Sequence, residues 1–412
     1  MSSSTDLILV RPTDEEQVAI WAQGYAEWGT HLTPSQYEAR ERHLLATSLL
    51  RNGGLTPWML TWKKTSAEGG QRTALASCET LRKRALVRVG DGHVRLVRAE
   101  GVASVFVGPL LRRRGYAARM MGLLASRLRE EGDVAFSVLY SDIGREFYAR
   151  VGWKVHSSCH VSLCVPPSSP LPVSSSSSSS SPSEAKTDGD GDDDNDDVGN
   201  IKAITDDQLA SLAQQDELRL RHKLASYPSS TPSTIRLALI PDLATLQWHF
   251  ARQDFLSQYI DSLPRQSERP IRGALYESNE DEGSRVWALW TLKSEPSESQ
   301  SDGVRNVNTL EFLRLSYPDS ISQAQLKTGV EAIINQALRQ GRKWLCTSIQ
   351  IWNPDGDRVR PILDGLSHLR PEFVVRDDSS IASLLWLGLG DGSGAEEMEE
   401  VDWVANDKFG WC

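Results

Sequence analysis

The sequence predicts a mixed α/β protein built as two similar halves, each around a mixed, mostly antiparallel sheet, and three observations carry that expectation. β-rich runs and amphipathic helical stretches follow one another through residues 1–164 in the order strand, helix, helix, three strands, helix, strand, helix. Much of that order recurs in residues 201–412. Between the two, residues 165–200 hold a serine run, prolines and the acidic block "DGDGDDDNDD", with too few apolar side chains to offset the entropy of ordering. A disordered Ser/Asp-rich linker or loop is expected there. A chain of 412 residues also exceeds one ordinary core, which agrees with two domains.

Composition narrows the function classes. No apolar run reaches the roughly 20 residues of a membrane helix, and "MSSSTDLILV" has neither the basic nor the apolar region of a secretory signal. A cytoplasmic protein is the expectation. Five scattered cysteines without CxxC or Cys/His spacing predict reduced thiols and no metal. The acidic block fails as a calcium loop, because Asp193 stands where glycine is required and Gly199 where glutamate is. The net charge is -10, yet residues 1–164 are net positive and the acidic excess lies beyond them. That partition serves solubility, or an anionic ligand on the first half and a cationic one met partly by the second. No dense Lys/Arg stripe with interleaved aromatics occurs, which argues against nucleic acid.

In chain order, "LILVRP" is a strand stopped by Pro12, and Thr13 with Glu16 forms a capping box for a helix over 14–28. "SQYEARERHLLATSLLRNGG" continues as a helix to Gly53-Gly54. "WMLTWKK" and "ALASCETLRKRALV" open an antiparallel meander, with Arg82, Lys83 and Arg84 read as an exposed basic bend or a ribose-phosphate contact. "GVASVFVGP" is a strand, and the helix starting near Gly115 puts Met120, Met121, Leu124 and Leu128 on one face until Gly132. The turn between them holds Arg112, Arg113, Arg114, Gly115, Tyr116 and Ala117. Helix N-terminal amides attract anions, glycine permits close approach and arginine adds charge-assisted bonds. The turn therefore suits a pyrophosphate, while lacking both the P-loop and the Rossmann pattern.

A strand over 134–140 and a short helix with Phe147 and Tyr148, ending at Gly152-Trp153, follow. The R-x-x-G-x-A turn and the Tyr-x-x-x-Gly-aromatic helix end, in this order and spacing, resemble the GNAT superfamily of acetyl-CoA-dependent N-acetyltransferases. The wording "SVLYSDIGREFYARVGW" and the long second half resemble the fungal L-lysine N6-acetyltransferases. The resemblance implies a GNAT fold, with 1–164 the acetyl-CoA-binding catalytic domain and 201–412 a degenerate GNAT-like domain closing the substrate pocket. It implies that the pantetheine arm of acetyl-CoA pairs with Val105, Phe106 and Val107 and that the pyrophosphate meets Arg112 to Ala117. Tyr148 is placed beside the sulfur as general acid.

Acetyl transfer needs a neutral amine, and lysine's ordinary pKa is about 10.4, so a base is required. Glu79, Glu100 and Asp142 are the candidates, each able to act directly, through water, or only structurally. The implied activity is direct attack of an amine on acetyl-CoA in a ternary complex. Free L-lysine, in lysine degradation, is the first acceptor; a peptide, protein or polyamine amine is second, and a non-catalytic acyl-CoA-binding regulator third. A small-molecule amine is thus the expected partner, with no nucleic acid, membrane or obligate protein partner. In the second half, "LRLSY" leads through Pro318-Asp319-Ser320 into a helix over 322–339 with no R-x-x-G-x-A turn, so no second pyrophosphate site is expected. Its tryptophans read as core or interface, with one or two able to flank a lysine's methylene stem.

Overall fold

The computed structural model describes residues 6–63, 72–90, 92–167, 200–226, 234–260, 270–277, 285–296, 306–390 and 400–411. Most of the serine and acidic seam, 168–199, lies outside the described residues, as does the failed calcium loop. The first half runs β1 (Leu7–Val10), α1 (Asp14–Trp28), α2 (Pro34–Leu45), β2 (Leu55–Trp62), β3 (Ala76–Val89), β4 (Arg95–Phe106), α3 (Tyr116–Glu131), β5 (Val134–Ser141), α4 (Glu146–Arg150), β6 (Lys154–Val155) and β7 (Cys159–Cys164). The second runs β8 (Ile201–Ile204), α5 (Leu209–Ser226), β9 (Thr234–Leu239), α6 (Leu243–Ser257), β10 (Gly273–Tyr276), β11 (Val286–Pro296), β12 (Asn306–Ser316), α7 (Gln323–Lys343), β13 (Cys346–Trp352), α8 (Arg360–Asp364), β14 (Glu372–Val375), β15 (Ile381–Trp386) and β16 (Glu400–Trp403). None of the described helices is long and apolar enough to cross a membrane.

Local chemistry accounts for most boundaries. The Thr13 hydroxyl accepts from the Glu16 amide, and the Glu16 carboxylate accepts from the Thr13 amide at 2.8 Å, which starts α1 where the capping box predicts. α3 buries Met120, Met121, Leu124 and Leu128, each contributing roughly 1.5–3 kcal/mol by leaving water, and stops at Gly132 with φ +70°. Two expectations fail. α2 ends at Leu45 and not at Gly53, because the Thr47 hydroxyl takes the Leu44 carbonyl at 2.6 Å and the chain enters turns, with Asn52 and Gly53 at positive φ. Arg82 to Arg84 form no bend: they lie inside β3, with Lys83 only 4% exposed. β8 and α5 are additions to the expected order; α5 turns Asp216 inward, which blurs its amphipathic pattern.

Among the described residues two sheets form. One has the order β1-β2-β3-β4-β5-β15-β6, with β9 also on β3 and β16 on β9; the other has β14-β7-β13-β12-β11-β10-β8. Both are mixed: β4–β5 and β12–β13 are parallel, and their other neighbours antiparallel. The halves exchange strands: the first gives its last strand, β7, to the second sheet, and the second gives β9, β15 and β16 to the first. β7 pairs with β13 and β14, while β15 pairs with β5 and β6. The exchange is sealed by a shared core in which Val87, Phe136 and Val138 pack with Leu237, Trp287, Leu289, Leu384 and Phe409.

Candidate active site

β4 carries the first part of the site. Ser77 of β3 pairs with Phe106 but Glu79 pairs with Ala103, so β4 holds one extra residue there, and Ser104 takes a φ of +53°. Such a bulge re-aims the backbone locally. β4 and β5 pair only from Arg98/Val134 to Gly101/Val138; beyond that point β5 stays with β15 and the two strands part. The β5-facing edge of Val105, Phe106 and Val107 is thereby open to an extended ligand.

The strand leads through Pro109–Leu111 into a turn with Arg113 at φ +64° and Gly115 at φ +80°, after which α3 begins with no side-chain cap. The Tyr116 and Ala117 amides belong to the first turn, where no helical carbonyl reaches them, and a Cβ on Gly115 would meet nothing within 4 Å. Arg113 and Arg114 are exposed and, among the described residues, have no ion-pair partner. Arg112 does something different. It donates to the Val107 carbonyl at 3.1 Å and to Glu27 at 2.7 Å and lies 6.0 Å from the Phe106 ring, bracing the turn against α1. An open strand edge running into uncapped amides flanked by two unpartnered arginines fits a pantetheine arm ending in a pyrophosphate.

Behind the bulge lies a cavity of 130 Å³, lined by Trp21 and Trp28 of α1, Tyr37, Arg40 and Glu41 of α2, Glu79 of β3, Ser104 of β4 and Trp248 and Arg252 of α6. A narrower recess extends it to Gln17, Trp58, Ser77 and Cys78. Burial, and then the Glu41 charge, push the Glu79 carboxyl up to about 7, against the smaller opposing effects of Ser104 and Trp21. Arg40 spends its bonds on protein: two on Glu41, at 3.0 and 2.6 Å, and one on the Trp28 carbonyl at 3.0 Å. Among the described residues the buried Trp248 Nε1 and Gln17 Oε1 have no hydrogen-bond partner. The carboxylates and aromatic walls suit a cationic guest, and the unpartnered tryptophan N–H suits an acceptor on the same molecule.

The remaining candidates lie elsewhere. Tyr148 is buried in α4 beneath Phe147, with ring centroids 4.9 Å apart; burial, then the neighbouring Cys78 and Asp142, push its phenol pKa up. Among the described residues its hydroxyl has no hydrogen-bond partner. The helix ends as the motif requires: Gly152 has φ +109° and a Cβ there would approach Leu385 to 3.1 Å, while the buried Trp153 donates to Ser137 at 3.2 Å. Asp142 is exposed and accepts from the Ser380 amide at 3.0 Å, outside the lining of the cavity. Glu100 is held by Arg98 at 2.8 Å, which also binds Asp133. Tyr37, Arg40, Glu41 and Arg252 carry no local motif; only the tryptophan richness of the chain hinted at aromatic walls.

Residues 174–412 match the family model described as the LYC1 GNAT-like C-terminal domain, over half of the chain. The chain belongs to this family. Residues 87–156, which hold the turn and the whole Tyr148 helix, match the acetyltransferase (GNAT) domain. A lysine acetyltransferase of Yarrowia lipolytica is 25% identical over 94% of this chain and 95% of its own. Among solved structures, a conserved protein of unknown function and probable N-acyltransferase from Enterococcus faecalis superposes with a TM-score of 0.50 at 13% identity, covering 93% of this chain and 73% of its own. A GCN5-related N-acetyltransferase from Kribbella flavida gives 0.46 at 14% identity over 93% and 72%. This LYC1 GNAT-like chain is an acetyl-CoA-dependent acetyltransferase, with two GNAT-like domains whose sheets exchange strands. Among the described residues no cluster of three or more His, Cys, Asp or Glu could hold a metal ion.

Proposed function

We propose that the protein transfers the acetyl group of acetyl-CoA to the side-chain amine of free L-lysine, by direct attack within a ternary complex. The observation that carries this reading is the cavity at the β4 bulge, where Glu79 and Glu41 lie among Trp21, Trp28, Tyr37 and Trp248. Acetyl-CoA supplies an activated thioester carbonyl. Val105 to Val107 hold its extended arm, and the Tyr116 and Ala117 amides with Arg113 and Arg114 hold its phosphates. Backbone amides at the bulge face the charge that develops on the carbonyl oxygen.

Glu79 is the preferred base. With its pKa near 7 it is substantially ionised at neutral pH and takes the proton that the attacking amine must lose. Asp142, bound to the Ser380 amide, and Glu100, bound to Arg98, suit structural roles better. Tyr148 donates a hydrogen bond to the departing thiolate and offsets its developing charge; its raised pKa keeps the phenol protonated, so that it remains a donor throughout. Residues 1–164 supply these groups, and 201–412 completes the pocket through Trp248 and Arg252. The test is thiol release from acetyl-CoA with free lysine, a polyamine and a lysine peptide, followed by mass analysis of the acetylated position. Turnover with lysine and modification at the ε-nitrogen are expected. Preference for the peptide or polyamine would overturn the choice of acceptor.

A further inference from the structure

The cavity has charges of both signs, but they are not equally engaged. Glu41 and Arg40 satisfy each other, and Glu79 faces the bulge. Arg252 is different: it lines the same cavity, yet among the described residues it has neither an ion pair nor a hydrogen bond. The residue is exposed, yet the protein around it, and then the Arg40 charge, lower its pKa, while the Glu41 and Glu311 charges oppose that shift without bonding to it. A guanidinium stays charged here, and its donors, without a protein partner, are available to an anion that enters the cavity.

Its position is fixed from behind. On α6, Asp254 binds Arg272 at 2.8 and 2.7 Å, Gln253 accepts from the Leu292 amide at 2.8 Å, and the His249 ring meets the Phe409 carbonyl at 2.9 Å. Trp248, one turn before Arg252, forms the adjoining wall of the cavity. The second half thus anchors the helix that presents this unpaired cation to a pocket that also holds Glu41 and Glu79 of the first half.

Building on the lysine reading above, we infer that Arg252 receives the α-carboxylate of the acceptor, so that the enzyme selects a free amino acid over other amines. A lysine within a peptide has no carboxylate to offer, and the second cation of a diamine would face Arg252 unfavourably. The test compares free lysine, lysinamide and 1,5-diaminopentane in the wild type, Arg252→Ala and Arg252→Lys. Loss of one charge-assisted contact raises the lysine KM of Arg252→Ala roughly 10- to 100-fold. The lysinamide constants stay within about twofold, which also reports an intact fold, the diamine KM falls as the repulsion is lifted, and the lysine kcat changes little because the contact forms before the transition state. Arg252→Lys recovers part of the loss. An unchanged lysine KM, or an equal loss on all three amines, overturns the assignment of Arg252. Wild-type enzyme inactive on lysine overturns the acceptor reading itself.

Discussion

The two halves contain the same opening, and they treat it in opposite ways. In the first, β4 and β5 part after Gly101/Val138; in the second, β12 and β13 part after Phe312/Ile351. The second opening adjoins the larger cavity, 300 Å³ against 130 Å³. Its polar groups, however, are engaged with one another. Arg314 binds Asp216 at 2.7 and 3.0 Å and Asp407 at 2.8 Å, and Ser316 donates to Asp216 at 2.7 Å. The following helix α7 is closed by a capping box, with Ser322 accepting from the Gln325 amide. The first opening leaves α3 uncapped and Arg113, Arg114, Glu79 and Arg252 without ion-pair partners among the described residues. Unsatisfied chemistry, not volume, separates a site built for a ligand from a scaffold that fills itself.

The largest effects should come from the unsatisfied opening. Glu79→Gln removes the base and should lower kcat by roughly 10²–10⁴. In the wild type, kcat/KM should rise with pH through about 7 and then level, as Glu79 ionises; the variant should lack that limb. The same raised pKa makes the native state lose stability as pH climbs from the ordinary carboxylate range to about 7, so Glu79→Gln should melt higher than wild type above pH 7 and equally below pH 4. A variant retaining the pH limb would transfer the role of base to another group. Tyr148→Phe keeps the ring and removes the donor, so kcat should fall by a similar roughly 10²–10⁴ with the acetyl-CoA KM nearly constant. Wild-type kcat there would assign stabilisation of the departing thiolate to solvent or another group.

The self-satisfied opening should respond in stability. Arg314→Ala strands Asp216 and Asp407 as buried carboxylates and should cost about 3–5 kcal/mol of unfolding free energy, measured by urea titration, with acetyl-CoA affinity of the folded protein unchanged. Ser322→Ala should cost about 1 kcal/mol through the lost cap and create no new anion site. Weakened acetyl-CoA binding in either variant would mean that the second opening takes part in cofactor binding.

What was legible beforehand follows the range of the interactions. The R-x-x-G-x-A turn and the Tyr148 helix end depend on residues a few positions apart, and Gly115 and Gly152 declare themselves because their backbone angles suit glycine. The exchange of β7 and β15 had no such signal, since "CHVSLC" and "IASLLW" can each complete either sheet. Three carboxylates were candidates for the base because sequence spacing brings all of them near the parting strands. Only tertiary neighbours distinguish Glu79 in its cavity from Glu100 on Arg98 and Asp142 at Ser380. Arg252 was invisible because α6, 173 positions beyond Glu79, reaches the pocket only through the packing of the halves.

Calorimetric titration with acetyl-CoA tests the contrast between the openings most directly. One equivalent should bind per chain. Gly115→Glu, which adds a carboxylate beside the α3 amides, should abolish that binding while costing only the about 1–2 kcal/mol of a non-glycine residue at positive φ. A second equivalent, or one equivalent bound by Gly115→Glu at wild-type affinity, would contradict the assignment of the first opening as the acetyl-CoA site.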